Sequence, residues 1–468
     1  MLEVAGDGRV VDVIVVGAGI SGLVTAHQLR HAGWQVQVLD AGTQPGGVIG
    51  SVVQQGCLYE RGPNSALDTT PLIGALVDTL GLRAQWRLAS DISNRRYVVR
   101  GGTLMALPTS PGAFFSTRLF STSAKLALLR EPFVARSPAG TEESIAAFVR
   151  RRLGSEFLDY AIDPFVAGIY AGDPEQISVP AAFPKLHALE QRWGSLIKGQ
   201  ILGAGERRKQ KEGAKNTAKS FSFLGGMQVL TDALAAAVGP VALHTRVTRL
   251  ERDAQGVFTL HADTAGQPTR WRTRAVVLAT PTDTAAQLLR EHAADAAEAL
   301  DAIPYAPVAT VATAYPQAGI AHALDGFGCL VPRREGRKVL GILFSSSMFE
   351  GRAGPGTALL TSFVGGLRQP QLPALPEEEI GALVQAEHQA LLGARQAPLF
   401  QRVTRWPRAI PQYTLGHLGR VARAEAAQQA LPGLFFCANW KGGVSVGDCI
   451  KNGHLGADAL TAHLRARV

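Results

Sequence analysis

The chain has 468 residues, 46% of them hydrophobic and 18% charged, with a net charge of +9. That length exceeds one ordinary core and that composition excludes a disordered polymer, so a globular protein of two or three domains is expected. The charge points to an acidic partner without choosing among nucleic acid, an anionic membrane surface and a polycarboxylate.

Val11 to Val16 is a β-branched run stopping at Gly17, the pattern of a buried parallel strand. Ile20 to Ala32 follows as a helix closed by Gly33, and "WQVQVLD" (Trp34 to Asp40) is the next strand. Between strand and helix lies Gly17-Ala18-Gly19-Ile20-Ser21-Gly22, a G-x-G-x-x-G. In such a motif the first glycine permits a tight turn and the second lets backbone approach a pyrophosphate. The third lets helix and strand pack closely. Asp40 ends the second strand, where a carboxylate accepts ribose hydroxyls. A βαβ unit holding a dinucleotide is therefore expected.

The apolar start follows Glu3 and Asp7 and meets the glycine motif without a cleavage site, so a cytoplasmic protein is expected. No apolar run approaches the ~20 residues of a spanning helix. Cys57, Cys329, Cys437 and Cys449 form no C-x-x-C pair and the histidines show no zinc spacing; no metal is expected, and the thiols fit a reducing compartment.

Further along, residues 71–82 read as a helix and "RRYVVRGGTLMALP" as a hairpin around Gly101-Gly102. From about Ser110 to Leu224 helical patterns dominate, among them "EESIAAFVRRRLG", acidic at its start and basic at its end as the helix dipole favours. Arg207 to Lys219 reads as an exposed basic loop. Strands return at "VALHTRVTRLER", "GVFTLHAD" and "RAVVLAT", then at "VATVATAYP", "KVLGILFSS" and "ALLTSFVGG". A helix spans about Glu377 to Leu392, and the chain closes with a strand, a Gly-rich turn and a helix. Strand–helix pieces at both ends predict one domain assembled from distant segments.

The double glycine in "QPGGVIGS" after Asp40, the turn in "ERGPNS" and the tail "LFFCANWKGGVSVGDCIKNG" are similar to the flavoproteins of the amine oxidase and phytoene desaturase superfamily. That resemblance implies FAD, held non-covalently, since the S-G-G-C-Y pattern of a covalent flavin is missing. A second G-x-G-x-x-G for a nicotinamide is absent, so electrons are expected to enter from an organic substrate and leave to dioxygen or a quinone. "NRRYVVRGGTLMALPTSP", "GIYAGDPEQIS", "AFPKLHALEQRWGSLIKG", "GFGCLVPR", "IPQYTLGH" and "GVSVGDCIKNG", in this order, resemble the oxygen-dependent protoporphyrinogen oxidases.

The resemblance implies a fold: α/β, a two-dinucleotide-binding-domain-type flavoprotein with a Rossmann-like FAD domain (1–80, 223–290, 405–468). To this it adds an α+β substrate domain (81–110, 291–404) and an inserted helical, membrane-associating domain (111–222). It also implies six-electron oxidation of protoporphyrinogen IX to protoporphyrin IX in haem and tetrapyrrole synthesis, hydride passing to flavin N5, with no side chain assigned as catalytic. Arg96 matches the arginine that pairs with a propionate, for which a guanidinium fork suits. Gly168 matches a glycine lying over the ring system; Phe327, Gly328 and Leu330 match positions that sandwich a pyrrole.

Cofactor contacts are expected from Gly17, Ala18, Gly19, Ile20, Ser21 and Gly22, then from Asp40 and Ala41. The following turns contribute Gly47, Val48 and Ser51, and then Gly62, Pro63 and Asn64. Val247 and Trp406 match residues near adenine and isoalloxazine, and Val444, Ser445 and Val446 start a helix addressing the flavin N1/C2=O edge. One departure is Gly50, where several family members carry a basic side chain. Expected partners are the porphyrinogen, dioxygen, a peripheral contact with the inner membrane face through Arg150–Arg152 and the Arg207–Lys211 loop, and a second copy in a homodimer. No nucleic-acid partner is expected, because no motif accompanies the charge. Rival readings are a coproporphyrinogen III oxidase, a flavin amine oxidase or carotenoid desaturase, and an FAD- or porphyrin-binding protein without turnover.

Overall fold

A computed structural model describes residues 10–138, 140–202 and 218–466. The N-terminal βαβ unit forms as its sequence dictates: β1 (Val10–Val16), α1 (Ile20–His31) and β2 (Val36–Leu39), with β1 and β2 parallel. β1 reads as unbroken valine and isoleucine because both of its faces are covered. Val13 and Val15 pack under α1, the helix Gln228–Val238 and the last helix, Val446–Arg465. Ile14 and Val16 pack under the helices Thr282–Leu289, Ala294–Asp301 and His417–Ala430 on the other side.

The sheet is completed from far along the chain. The strand Gln267–Leu278 pairs parallel with β1, and Leu434–Phe436 pairs parallel with that strand's end. Antiparallel strands Phe258–Thr264 and Thr245–Arg252 extend one edge; Val241–Ala242 borders β2. The last helix then crosses α1, with Gly453 so close to Val24 that a Cβ there would sit 2.7 Å from its Cγ1.

A second, mostly antiparallel sheet of seven strands runs from Phe400–Pro411 through Tyr305–Pro316, Thr357–Gly365, Val339–Leu343 and Gly328–Leu330 to the hairpin Tyr97–Arg100/Thr103–Ala106. One face carries the helix Glu377–Leu392. The other packs on the two-stranded unit β3 (Ser51–Gln54) and β4 (Cys57–Glu60), and on the helix Asp163–Tyr170. The seam between the sheets is thus lined by the turns that follow β2 and β4.

Three expectations need revision. Residues 400–411 form a strand of the second sheet, so the first sheet's half of the chain resumes after Pro411 rather than at 405. Trp86–Leu88 pairs with Ser220–Phe223, which also pairs with Ala66–Leu67, so residues 81–88 lie beside the first sheet's half. The helical insert between 111 and 202 forms, but its arginine run is not a free basic face. Arg152 is wholly buried between Glu131 and Glu190, Arg151 pairs with Glu143 and Glu190, and Arg150 pairs with Glu175. Four glutamates neutralise the run, and charges so paired have little left for lipid. The Arg207–Lys211 loop lies outside the described residues.

Candidate functional site

The first glycine-rich turn divides its labour by sterics. A Cβ on Gly17 would stand 2.7 Å from the Ala279 carbonyl oxygen, and one on Gly22 only 2.0 Å from that of Gly17, so both glycines are required by packing. A Cβ on Gly19 meets nothing within 4 Å. The open space lies before the N-terminus of α1, whose first turn has neither an acidic residue nor a side-chain cap. Uncapped N–H groups with the dipole behind them attract an anion. Gly46 donates its N–H to the Ala18 carbonyl at 2.8 Å, and a Cβ on Gly47 would approach the Gly19 Cα to 3.3 Å, closing the cradle from the second turn. A dinucleotide pyrophosphate fits here.

Asp40, just beyond β2, braces the same turn: its carboxylate oxygens accept the Ala18 and Gly42 N–H groups, each at 2.6 Å. Each oxygen retains acceptor capacity, so the ribose role and the bracing role are compatible. Ala41 follows it on the surface. The Asp40 carbonyl accepts the Thr245 N–H at 2.8 Å, bringing the strand of Val247 alongside; the Val247 side chain itself is 5% exposed, in the core.

The next turns are held from below by a buried ion pair that sequence reasoning missed. Glu60 and Arg352 meet at 2.6 Å with side chains 1% and 3% exposed. Ser51 Oγ donates to Glu60 Oε2 at 2.6 Å and Met227 N–H to Oε1 at 3.0 Å, while Ser222 Oγ accepts from Arg352. This network fixes Ser51 and the end of β4. Beyond it, a Cβ on Gly62 would collide with the Val48 carbonyl at 2.1 Å, and Asn64 Oδ1 accepts from Thr361 Oγ1 at 3.3 Å. Pro63 lies between them, and Trp406 Nε1–H donates to the Arg61 carbonyl at 2.8 Å.

At the chain's end, Ser445 caps the last helix through the Asp448 N–H at 3.1 Å, with Val444 before it and Val446 buried as its first residue. The preceding turn is pinned by Tyr413, whose hydroxyl donates to the Asn439 carbonyl (2.8 Å) and accepts from the Gly443 N–H (2.9 Å). His417 stacks on the Tyr413 ring at 4.1 Å, and burial pushes its imidazole down to about 4, so it is neutral.

A second group gathers across the seam. The three arginines of the hairpin differ: Arg95 pairs with Asp325 and Arg100 with Glu156, whereas Arg96 has no carboxylate among the described residues. Its guanidinium stands 5.0 Å from the Phe327 ring centroid, and its surroundings push it below its ordinary value. Gly328, at φ +144°, lies so close to the neighbouring strand that a Cβ would sit 2.2 Å from the Ile342 carbonyl oxygen. Leu330 reaches across to the helix Asp163–Tyr170, where a Cβ on Gly168 would come within 2.9 Å of its Cδ2. That approach is clamped by Arg368, which binds Asp163 Oδ2 (2.8 Å) and the Val331 carbonyl (2.7 Å) in a pocket leaving each charged side chain 7% exposed.

Hydroxyl–imidazole chemistry is not on offer where a core histidine imitates it. Ser362 Oγ and the Tyr315 hydroxyl both touch His388, but all three are buried in the second sheet's core, and burial pushes His388 down to about 3. The described residues contain no group of His, Cys, Asp and Glu able to hold a metal. Cys437 accepts from Thr25 Oγ1 at 3.1 Å and burial pushes its thiol up, away from the thiolate a covalent flavin link needs.

Residues 20–461 match the family of flavin containing amine oxidoreductases. The chain is 33% identical to protoporphyrinogen oxidase 2 of Arabidopsis thaliana, covering 97% of this chain and 94% of that one. It is 28% identical to coproporphyrinogen III oxidase of Bacillus subtilis, covering 96% and 98%. A crystal structure from Exiguobacterium sp. 255-15 superposes with a TM-score of 0.81 at 23% identity, over 97% of this chain and 99% of the other.

Proposed function

The chain belongs to the flavin containing amine oxidoreductases and, within them, to the protoporphyrinogen oxidases, and on that footing we propose that it oxidises protoporphyrinogen IX to protoporphyrin IX with dioxygen. It is an FAD-dependent oxidoreductase of porphyrinogens. The observation that carries the choice of substrate is the near full-length 33% identity to a protoporphyrinogen oxidase, against 28% to a coproporphyrinogen III oxidase.

FAD accepts hydride when bound; the chain's residues position what reacts. Gly17–Gly22 and the N-terminus of α1 hold the pyrophosphate, Asp40 the ribose, and the turns around Ser51 and Gly62–Asn64 the flavin side. Phe327, Leu330 and Gly168 flank the place of the macrocycle, and Arg96, beside Phe327, anchors a propionate. No side chain need act as acid or base, since ring N–H protons can leave to solvent. The test of substrate is anaerobic reduction of the FAD-loaded protein by the two porphyrinogens in parallel; faster bleaching by coproporphyrinogen would overturn the assignment.

Removing the Arg96 guanidinium is expected to raise KM for the porphyrinogen about tenfold, the worth of one charged hydrogen bond, with FAD content unchanged. Unaltered kinetics of Arg96→Ala would refute the anchor.

No helix among the described residues is long and apolar enough to cross a membrane. The insert nevertheless exposes Leu126, Leu129, Phe133, Ile201 and Leu202, Phe133 at 87%. Backbone N–H groups of Leu196 and Ile197 bind Glu131, so the turn bearing Phe133 and the helix bearing Ile201 are neighbours. This apolar face, rather than the arginine run, is the part we assign to peripheral membrane contact. Phe133→Asp should reduce co-sedimentation with lipid vesicles severalfold at unchanged turnover; equal co-sedimentation would count against this surface.

A further inference from the structure

Gly50 lies beside the candidate cofactor turns, and the space its missing side chain leaves is filled from elsewhere. A Cβ at position 50 would meet the Arg61 side chain, at 3.4 Å from Cδ, 3.8 Å from Cβ and 3.9 Å from Cγ. Arg61 follows β4, and its backbone is tied at three points. Its N–H donates to the Gly50 carbonyl at 2.7 Å, while its own carbonyl accepts from Thr310 Oγ1 at 2.9 Å and from Trp406 Nε1 at 2.8 Å.

The guanidinium is treated differently. It lies 5.9 Å from the Trp406 ring centroid and has neither a carboxylate nor a hydrogen-bond acceptor among the described residues, although Arg61 is half-buried. Three arginines with buried side chains are each paired with carboxylates: Arg352 with Glu60, Arg368 with Asp163, and Arg152 with Glu131 and Glu190. A guanidinium that has lost part of its hydration and found no counter-charge is costly, unless a ligand supplies the negative charge.

The place of Arg61 selects which part of the cofactor that is. The pyrophosphate belongs before α1, at Gly19. Arg61 lies beyond the β3–β4 unit, bonded to two strands of the second sheet, at the seam where a ring must lie to exchange hydride with a substrate held near Phe327. We propose that Arg61 faces the isoalloxazine and stabilises the negative charge the ring carries once reduced. The role rests on FAD as the cofactor and not on which porphyrinogen is oxidised. In the reaction two electrons and one proton pass together as hydride from a substrate C–H bond. Positive charge remains on the substrate and negative charge arrives beside Arg61; no further reactant is required.

The midpoint potential of the bound flavin, measured against reference dyes with a chemical reductant, tests this in the full-length, FAD-loaded protein. Arg61→Gln should lower the potential and slow anaerobic reduction by the porphyrinogen about tenfold, as loss of one charged contact implies. Arg61→Lys should hold the potential near that of the parent. The double variant R61A/G50R should recover much of it, because Gly50 has no positive φ and removing the Arg61 side chain clears most of what its Cβ would meet. KM and FAD retention should not change. An unchanged potential with weaker FAD retention would place Arg61 on the pyrophosphate, and an unchanged potential with a raised KM would place it on a substrate carboxylate; either overturns the proposal. Loss of FAD from the Gln and Lys variants alike also overturns it, since packing would then be its contribution. Because the reductant is not a porphyrinogen, a failure here is distinct from a failure of the substrate assignment.

Discussion

Gly19→Val is expected to give a folded, colourless protein. Gly19 has φ −72° and ψ 174°, an extended conformation that valine adopts freely, and a Cβ there touches nothing within 4 Å. The isopropyl group would occupy the space before α1 where the pyrophosphate must lie. FAD affinity should fall by about a hundredfold or more, the loss of at least two charge-assisted hydrogen bonds. Absorbance near the flavin band after purification and thermal unfolding with and without added FAD check this: the variant should unfold like the parent stripped of cofactor, and FAD should no longer protect it. A yellow Gly19→Val protein would refute the placement of the pyrophosphate. Gly22→Ala is the contrasting case, because its Cβ would lie 2.0 Å from the Gly17 carbonyl, so the βαβ unit itself should fail.

The second large effect is structural. Arg352→Met should cost about 3–5 kcal/mol, since it strands the Glu60 carboxylate in a site that is 2% exposed. That is a large fraction of a typical domain's stability. FAD binding should weaken with it, because the same carboxylate holds Ser51 and the end of β4, from which Arg61 and Gly62 continue. Denaturant unfolding provides the measurement, and the pair of changes Glu60→Gln with Arg352→Met should recover most of the loss. A single variant within 1 kcal/mol of the parent, on the scale of an exposed pair, would show that the ion pair holds nothing in place.

What could be read from the chain beforehand was local. The βαβ unit and the distinct duties of Gly17, Gly19 and Gly22 follow from a strand, a turn and a helix within thirty residues, and the hairpin around Gly101-Gly102 is equally self-contained. The strand Phe400–Pro411 was hidden by its own chemistry. It lies at a sheet edge, so its exposed residues break the apolar alternation, and Pro407 interrupts it. Pro407 and Pro307 both fall within the register shift between these strands, one of the few places where a strand tolerates a proline. The pairings of Glu60 with Arg352 and of Arg152 with Glu131 and Glu190 join residues with no local signature, so arginines that read as a basic face turned out to be internal struts. Arg96 and its neighbours Arg95 and Arg100 look alike in sequence. Only their partners among the described residues separate Arg96 from the two paired arginines.

The order of assembly follows from how the first sheet is stitched. Its opening strand is flanked by Gln267–Leu278, which is itself bordered by Leu434–Phe436, and the helix that crosses α1 ends at Arg465. During synthesis the N-terminal glycine loop therefore leaves the ribosome hundreds of residues before its supporting neighbours. Cofactor uptake must await synthesis of the helix Val446–Arg465, and a chain cut short before it would lack one wall of the first sheet's core.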